Sequence, residues 1–79
     1  MDKQMNNYLY TVFKSIHTID DITYTSFGIV ITSTQDNSVI ERIKDISTSE
    51  AKITKLVNLC NELSLEPIHI YDVIEDFIL

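Results

Sequence analysis

Hydrophobic and polar residues alternate with strand-like periodicity through the first half of the chain and change to a helical spacing after residue 47. Residues 7–18 are rich in aromatic and β-branched side chains and contain no breaker, which predicts a first strand. Tyr8, Tyr10 and Val12 then point one way, and Leu9, Thr11 and Phe13 the other. Asp20-Asp21 supplies turn chemistry. Residues 22–34 carry the strongest strand signal, with Phe27, Ile29 and Ile31 alternating toward a core. Gly28 interrupts that run and marks a bulge or a place where a side chain from elsewhere covers the backbone. Gln35-Asp36-Asn37-Ser38 forms a second turn. Residues 39–46 are harder to read, because Val39, Ile43 and Ile46 do not keep period two. A helix competes there, but three strands joined by short turns make the simpler assembly, and a lone hairpin is marginal.

Ser47-Thr48-Ser49-Glu50 reads as a helix start, with Ser47 and Glu50 at capping-box spacing. Ile53, Leu56, Val57, Cys60 and Leu63 then recur on one helical face, with Lys52 and Lys55 on the outer one. The connection follows at 62–66, and Pro67 opens a new element. The last helix is expected over about His69–Ile78. Its apolar stripe is Ile70, Val73, Ile74 and Phe77, and Asp72, Glu75 and Asp76 lie opposite. Glu75 and Asp76 sit at the end where carboxylates oppose the helix dipole. The expected fold is α+β: one domain over 1–79, a three-stranded antiparallel meander followed by two helices packed on one face.

Composition narrows the function. Seventy-nine residues that are 44% hydrophobic and 23% charged make one globular domain with a small core. Its stability should be modest, about 5 kcal/mol, which favours a helper partner or a homodimer. The single cysteine, Cys60, cannot form an internal disulfide, and the first residues lack the apolar segment of a secretory signal. Both point to the cytoplasm. Lys and Arg stand at 3, 14, 42, 44, 52 and 55 and nowhere later, while Glu62, Glu66, Asp72, Glu75 and Asp76 follow. An acidic last third disfavours nucleic acid and anionic membranes and suits a basic or apolar protein surface.

Catalytic chemistry finds little footing. His17, His69 and Cys60 share no local arrangement of nucleophile and base. His69, Asp72 and Asp76 fall on one helical face, but a metal site needs further ligands and support behind them. One glycine cannot build a phosphate-binding loop. No catalytic, cofactor or metal residue is therefore assigned, and the expected function is a non-enzymatic protein–protein interaction module, regulatory or adaptor in character. Its candidate contacts are the acidic helix face (Asp72, Glu75, Asp76) and tyrosines clustered on the uncovered sheet face (Tyr8, Tyr10, Tyr24). The alternative is a phage-type acidic inhibitor that blocks the nucleic-acid groove of a bacterial defence protein, with carboxylates standing in for phosphates.

Two stretches carry a resemblance. Tyr24-Thr-Ser-Phe-Gly-Ile29 leads through Ile43-Lys-Asp-Ile-Ser47 to the ending Glu66-Pro-Ile-His-Ile-Tyr-Asp-Val-Ile-Glu-Asp-Phe77. Over nearly its whole length the chain resembles an uncharacterised family of short proteins from spore-forming anaerobic bacteria and their mobile elements. The resemblance implies a bacterial or phage-related cytoplasmic protein, and it brings no catalytic residues.

Overall fold

The computed structural model describes residues 7–78. Three antiparallel strands, β1 (Tyr8–Ile19), β2 (Ile22–Ser33) and β3 (Val39–Ser47), form a sheet in the order β1-β2-β3. Helix α1 (Glu50–Glu62), a 3-10 turn (Pro67–His69) and helix α2 (Ile70–Ile78) follow. This is the α+β meander with two helices expected from the sequence.

The β1–β2 hairpin turns on Asp20 and Asp21 alone, and both have positive φ, 51° and 65°. Two left-handed residues in a two-residue loop make a type I′ turn, whose twist matches that of the strands, and Asp tolerates this region better than most residues. The turn sets the register of the hairpin. Ile19 pairs with Ile22, His17 with Tyr24, Tyr10 with Ile31 and Tyr8 with Ser33. Directly paired residues share a face. Tyr10 therefore lies on the same side as Ile29 and Ile31, under the helices.

This corrects the tyrosine cluster. Tyr10 is 1% exposed and belongs to the core, and Tyr8 packs against that core from its rim. Only Tyr24 stands on the uncovered face. A sheet larger than its helical cover offers a tyrosine either face, but a core this small needs the volume of Tyr10. The tyrosine joins Phe27, Ile29, Ile31, Ile53, Leu56, Val57, Cys60 and Ile70 in one cluster.

Tyr10 also ties the layers together through polar groups. Its backbone N–H donates to Asn61 Oδ1 at 2.9 Å, and Asn61 Nδ2 donates back to the Tyr10 carbonyl at 2.9 Å. Its phenol donates to the Leu65 carbonyl at 2.6 Å. Burial, reinforced by Cys60, Glu66 and Tyr8, pushes the phenol pKa up to about 12. The Leu65 carbonyl is held in place because α1 ends in a Schellman motif. Ser64 takes φ 51°, the Ser64 N–H reaches Asn61 O, and the Leu65 N–H reaches Cys60 O.

The irregular pattern of β3 has a physical cause. Its pairing with β2 shifts register between Phe27 and Ile29 and again between Ile31 and Thr32, so period two is broken twice. At the first bulge the β3 backbone arches over Gly28. A Cβ there would collide with the Ile43 carbonyl and lie 3.0 Å from Lys44 Cα. Backbone, rather than a side chain, covers this glycine. The bulge keeps β3 running to Ser47, which still pairs with Phe27. The N-cap of α1 is consequently Ser49, not Ser47: Ser49 Oγ accepts from Lys52 N–H, while Ser47 Oγ accepts from Ser49 N–H. Leu63, expected on the buried stripe, is the C-cap and is 60% exposed.

Gly28→Ala should force β3 off the sheet at the bulge and cost about 2–3 kcal/mol, the upper part of the range for overpacking a filled site. For a domain of this size that is a drop in Tm of roughly 10 °C or more. A thermal melt that matches the wild type would show that the strand moves aside freely.

Candidate functional site

Two features stand out on the surface, one on each side of the sheet. The first is an open groove of about 300 Å³ between the helices, lined by Leu59, Leu63, Val73, Asp76 and Phe77. It exists because two short helices cannot close over each other. Ile70 at the start of α2 is fully buried, but Val73 and Phe77 are only partly covered, and Leu59 and Leu63 of α1 stay exposed beside them. The groove is apolar in its lining apart from Asp76. Asp72, Glu75 and Asp76 are all exposed on α2. Of the expected contact residues, these three share one helix, and Asp76 stands at the groove itself. Tyr71 donates to a Glu41 carboxylate oxygen, which ties α2 to β3 and raises the pKa of the phenol.

The second feature lies on the uncovered sheet face and joins all three strands. His17 of β1, Ser26 of β2 and Asp45 of β3 meet there. Ser26 donates to Asp45 Oδ1, His17 Nε2 lies 2.7 Å from the same oxygen, and His17 Nε2 lies 3.0 Å from Ser26 Oγ. The Tyr24 ring stacks on the imidazole, with centroids 4.9 Å apart and planes 24° from parallel. Asp45 reaches this position because it is the left-handed residue of the Gly28 bulge, with φ 57°.

Ser, His and Asp in contact invite comparison with a hydrolytic triad, but the connectivity differs. In a triad one imidazole nitrogen accepts the serine proton and the other donates to the carboxylate. Here a single nitrogen, Nε2, faces both oxygens, so it carries a hydrogen and cannot act as base toward Ser26. The serine proton goes to Asp45 instead, and Ser26 is 3% exposed. The cluster is a clasp that satisfies a buried hydroxyl and pins β3 to the hairpin. Among the described residues, no group of three or more His, Cys, Asp or Glu side chains gathers as metal ligands. Cys60 is buried in the core, and burial raises its thiol pKa, away from nucleophilic character.

The clasp was missed in the sequence, although half of it was there to be found. A two-residue turn at Asp20-Asp21 already pairs His17 with Tyr24 and places Ser26 one step along the same face. Asp45 had no such signal, since only the bulge brings it over.

The class of protein is thus a small α+β domain with an apolar groove, a structural polar clasp and no assembled catalytic constellation among its described residues. The chain belongs to the family of unknown function DUF6514, whose model matches residues 1–79. Comparisons with curated proteins and with solved structures found no match. No helix among the described residues is long and apolar enough to cross a membrane.

The pKa of Asp45 lies below the usual carboxylate range, first because Ser26 donates to it and then because of His17. A depressed carboxylate stabilises the fold above its ordinary pKa of about 3.9 and loses that contribution as pH falls through its folded value. Ser26→Ala should therefore move the Asp45 midpoint upward, toward the ordinary carboxylate range, and start acid unfolding at higher pH. Carboxyl-carbon NMR titration of both proteins measures it, and identical Asp45 midpoints would refute the clasp.

Proposed function

We propose that this protein is a non-enzymatic interaction module that seats an apolar ridge of a basic protein segment in the α1–α2 groove. The observation that carries this reading is the pairing of an open apolar floor (Leu59, Leu63, Val73, Phe77) with carboxylates and no Lys or Arg on α2, one of the two helices that form it. An amphipathic helix with Leu or Met anchors on one side and Lys or Arg beside them has the matching chemistry. The carboxylates would speed encounter and reject acidic competitors, while the apolar floor would supply most of the affinity. The resemblance to short proteins of spore-forming anaerobes and their mobile elements favours a bacterial or phage-related cytoplasmic setting, and the regulatory or adaptor role rests on the small size and the groove alone. A nucleic-acid mimic draws less support, because it needs rows of carboxylates at phosphate spacing and the groove floor is aliphatic and aromatic.

The test is binding of an amphipathic Leu/Lys helical peptide, followed by amide NMR and calorimetry. Shifts should concentrate at Leu59, Leu63, Val73 and Phe77. Replacing Asp72, Glu75 and Asp76 with Asn, Gln and Asn should weaken binding about tenfold, from three surface charge pairs at about 0.5 kcal/mol each. Raising salt should weaken the wild type and leave the neutralised variant almost unmoved. Leu63→Ser should weaken both proteins. Shifts scattered away from the groove would refute the reading.

A further inference from the structure

The distal half of the β1–β2 hairpin extends past the helices, and the molecule is long and narrow, 54 × 28 × 19 Å. Large aliphatic side chains stand exposed there: Ile16 at 66%, Ile19 at 57% and Ile22 at 67%. Strand β1 is also a free edge, since among the described residues it pairs only with β2. The Asn61 clamp shows which backbone groups point outward. Tyr10 turns its N–H and C=O away from β2, and antiparallel pairing alternates, so Val12, Lys14, Ile16 and Thr18 do the same. Among the described residues nothing occupies those groups. The opposite edge of the sheet, β3, is guarded by two bulges and by Glu41, Arg42, Lys44 and Asp45. The β1 edge has no bulge, no proline and no carboxylate.

We propose that the β1 edge pairs with the β1 edge of a second copy, antiparallel about a two-fold axis, to give a continuous six-stranded sheet. The ends of the free stretch fix the register. Asn61 closes the edge at Tyr10 and the turn at Asp20 closes it at the other end, so the midpoint is Ser15. Ser15 then faces Ser15 of the second copy, Lys14 faces Ile16, and Val12 faces Thr18. Sliding one way sets Lys14 against Lys14 and pushes Thr18 onto the clamped Tyr10. Sliding the other way sets Val12 against the turn. An odd slip mismatches outward and inward backbone groups. A two-fold normal to the sheet keeps both helical layers on one side. Each α1, which packs over Tyr10, then lies beside the other copy's Ile16 and Thr18, where the hairpin has no cover of its own. That fit favours a second copy over a foreign extended peptide, which would leave Ile16 bare. The edge is also the low-charge strip of a chain with net charge −6, its only charged side chain being Lys14.

Sedimentation velocity on the full chain reads the outcome. Because two copies repel at long range, dimer should increase as salt rises, opposite to the basic-peptide complex in the groove. Ile16→Pro removes an outward N–H that the β1–β2 ladder does not use, and it should give a folded monomer. Ile16→Lys, at a site two-thirds exposed and facing Lys14, should weaken self-association about tenfold without a change in melting at concentrations where both proteins are monomeric. Ser15→Cys should cross-link copies through the introduced thiols under mild oxidation, and Phe13→Cys should not. Leu63→Ser should leave the dimer intact, which separates this result from failure of the groove reading. A wild type that stays monomeric to about 1 mM at every salt concentration overturns the proposal. So does an Ile16→Pro variant that is folded and still dimeric.

Discussion

The sheet and the helices are held together at Tyr10. A three-stranded sheet is marginal without cover on one face, so the contact that brings the cover down matters more than any strand pair. Tyr10 is the one fully buried side chain of β1, and it belongs to the same core cluster as Ile31, Ile53 and Ile70. The same residue spends its backbone on the Asn61 amide and its phenol on the Leu65 carbonyl. One position therefore orients α1 and the loop that launches α2. The groove is a consequence: once Leu65 is fixed, Pro67 starts the next turn and α2 leaves at an angle that buries Ile70 but leaves Val73 and Phe77 partly open.

Much of this was readable in the sequence. The alternation of Phe27, Ile29 and Ile31, the helical spacing from Ile53 to Cys60 and the break at Pro67 each reflect local periodicity, and local periodicity survives folding. Tyr10 was misplaced because a tyrosine suits either face of a half-covered sheet, and only the hairpin register decides between them. The N-cap was displaced by two residues because the bulge lengthens β3, and no local pattern announces a bulge except the glycine it requires. The groove was half legible: Asp72, Glu75 and Asp76 are visible as a helical face, but Leu63 falls on the periodic stripe expected to be buried and Leu59 carries no signal of its own. Whether a stripe is covered depends on the angle between two helices, and that angle is a tertiary property.

The charges are segregated in a way that gives the two surfaces opposite character. Beyond Lys55 the helical side carries only carboxylates and neutral groups, while β1 carries Lys14 and no acid. Bulk electrostatics on a −6 chain favours basic company at the helices and penalises a second copy anywhere. A strand edge is the place where that penalty is smallest, because backbone hydrogen bonds supply directional attraction that does not depend on net charge. The groove responds to salt as an attractive surface and the edge as a repulsive one, so a single chain can hold both contacts without one substituting for the other.

The bulge at Gly28 explains why the two edges of the sheet differ. By arching over Gly28, the β3 backbone leaves the regular ladder, twists its outer edge and swings Asp45 onto the open face. There Asp45 meets Ser26 and His17, and the clasp holds the arch in place. Pairing a new strand to β3 would require flattening the arch, which means breaking the clasp and exposing the Ser26 hydroxyl's partner to competition. Among the described residues, strand β1 has no comparable constraint beyond the Asn61 clamp, which stops short of Val12. An edge protected by geometry on one side and bare on the other leaves sheet growth a single direction, and that direction runs through the residues the helices fail to cover.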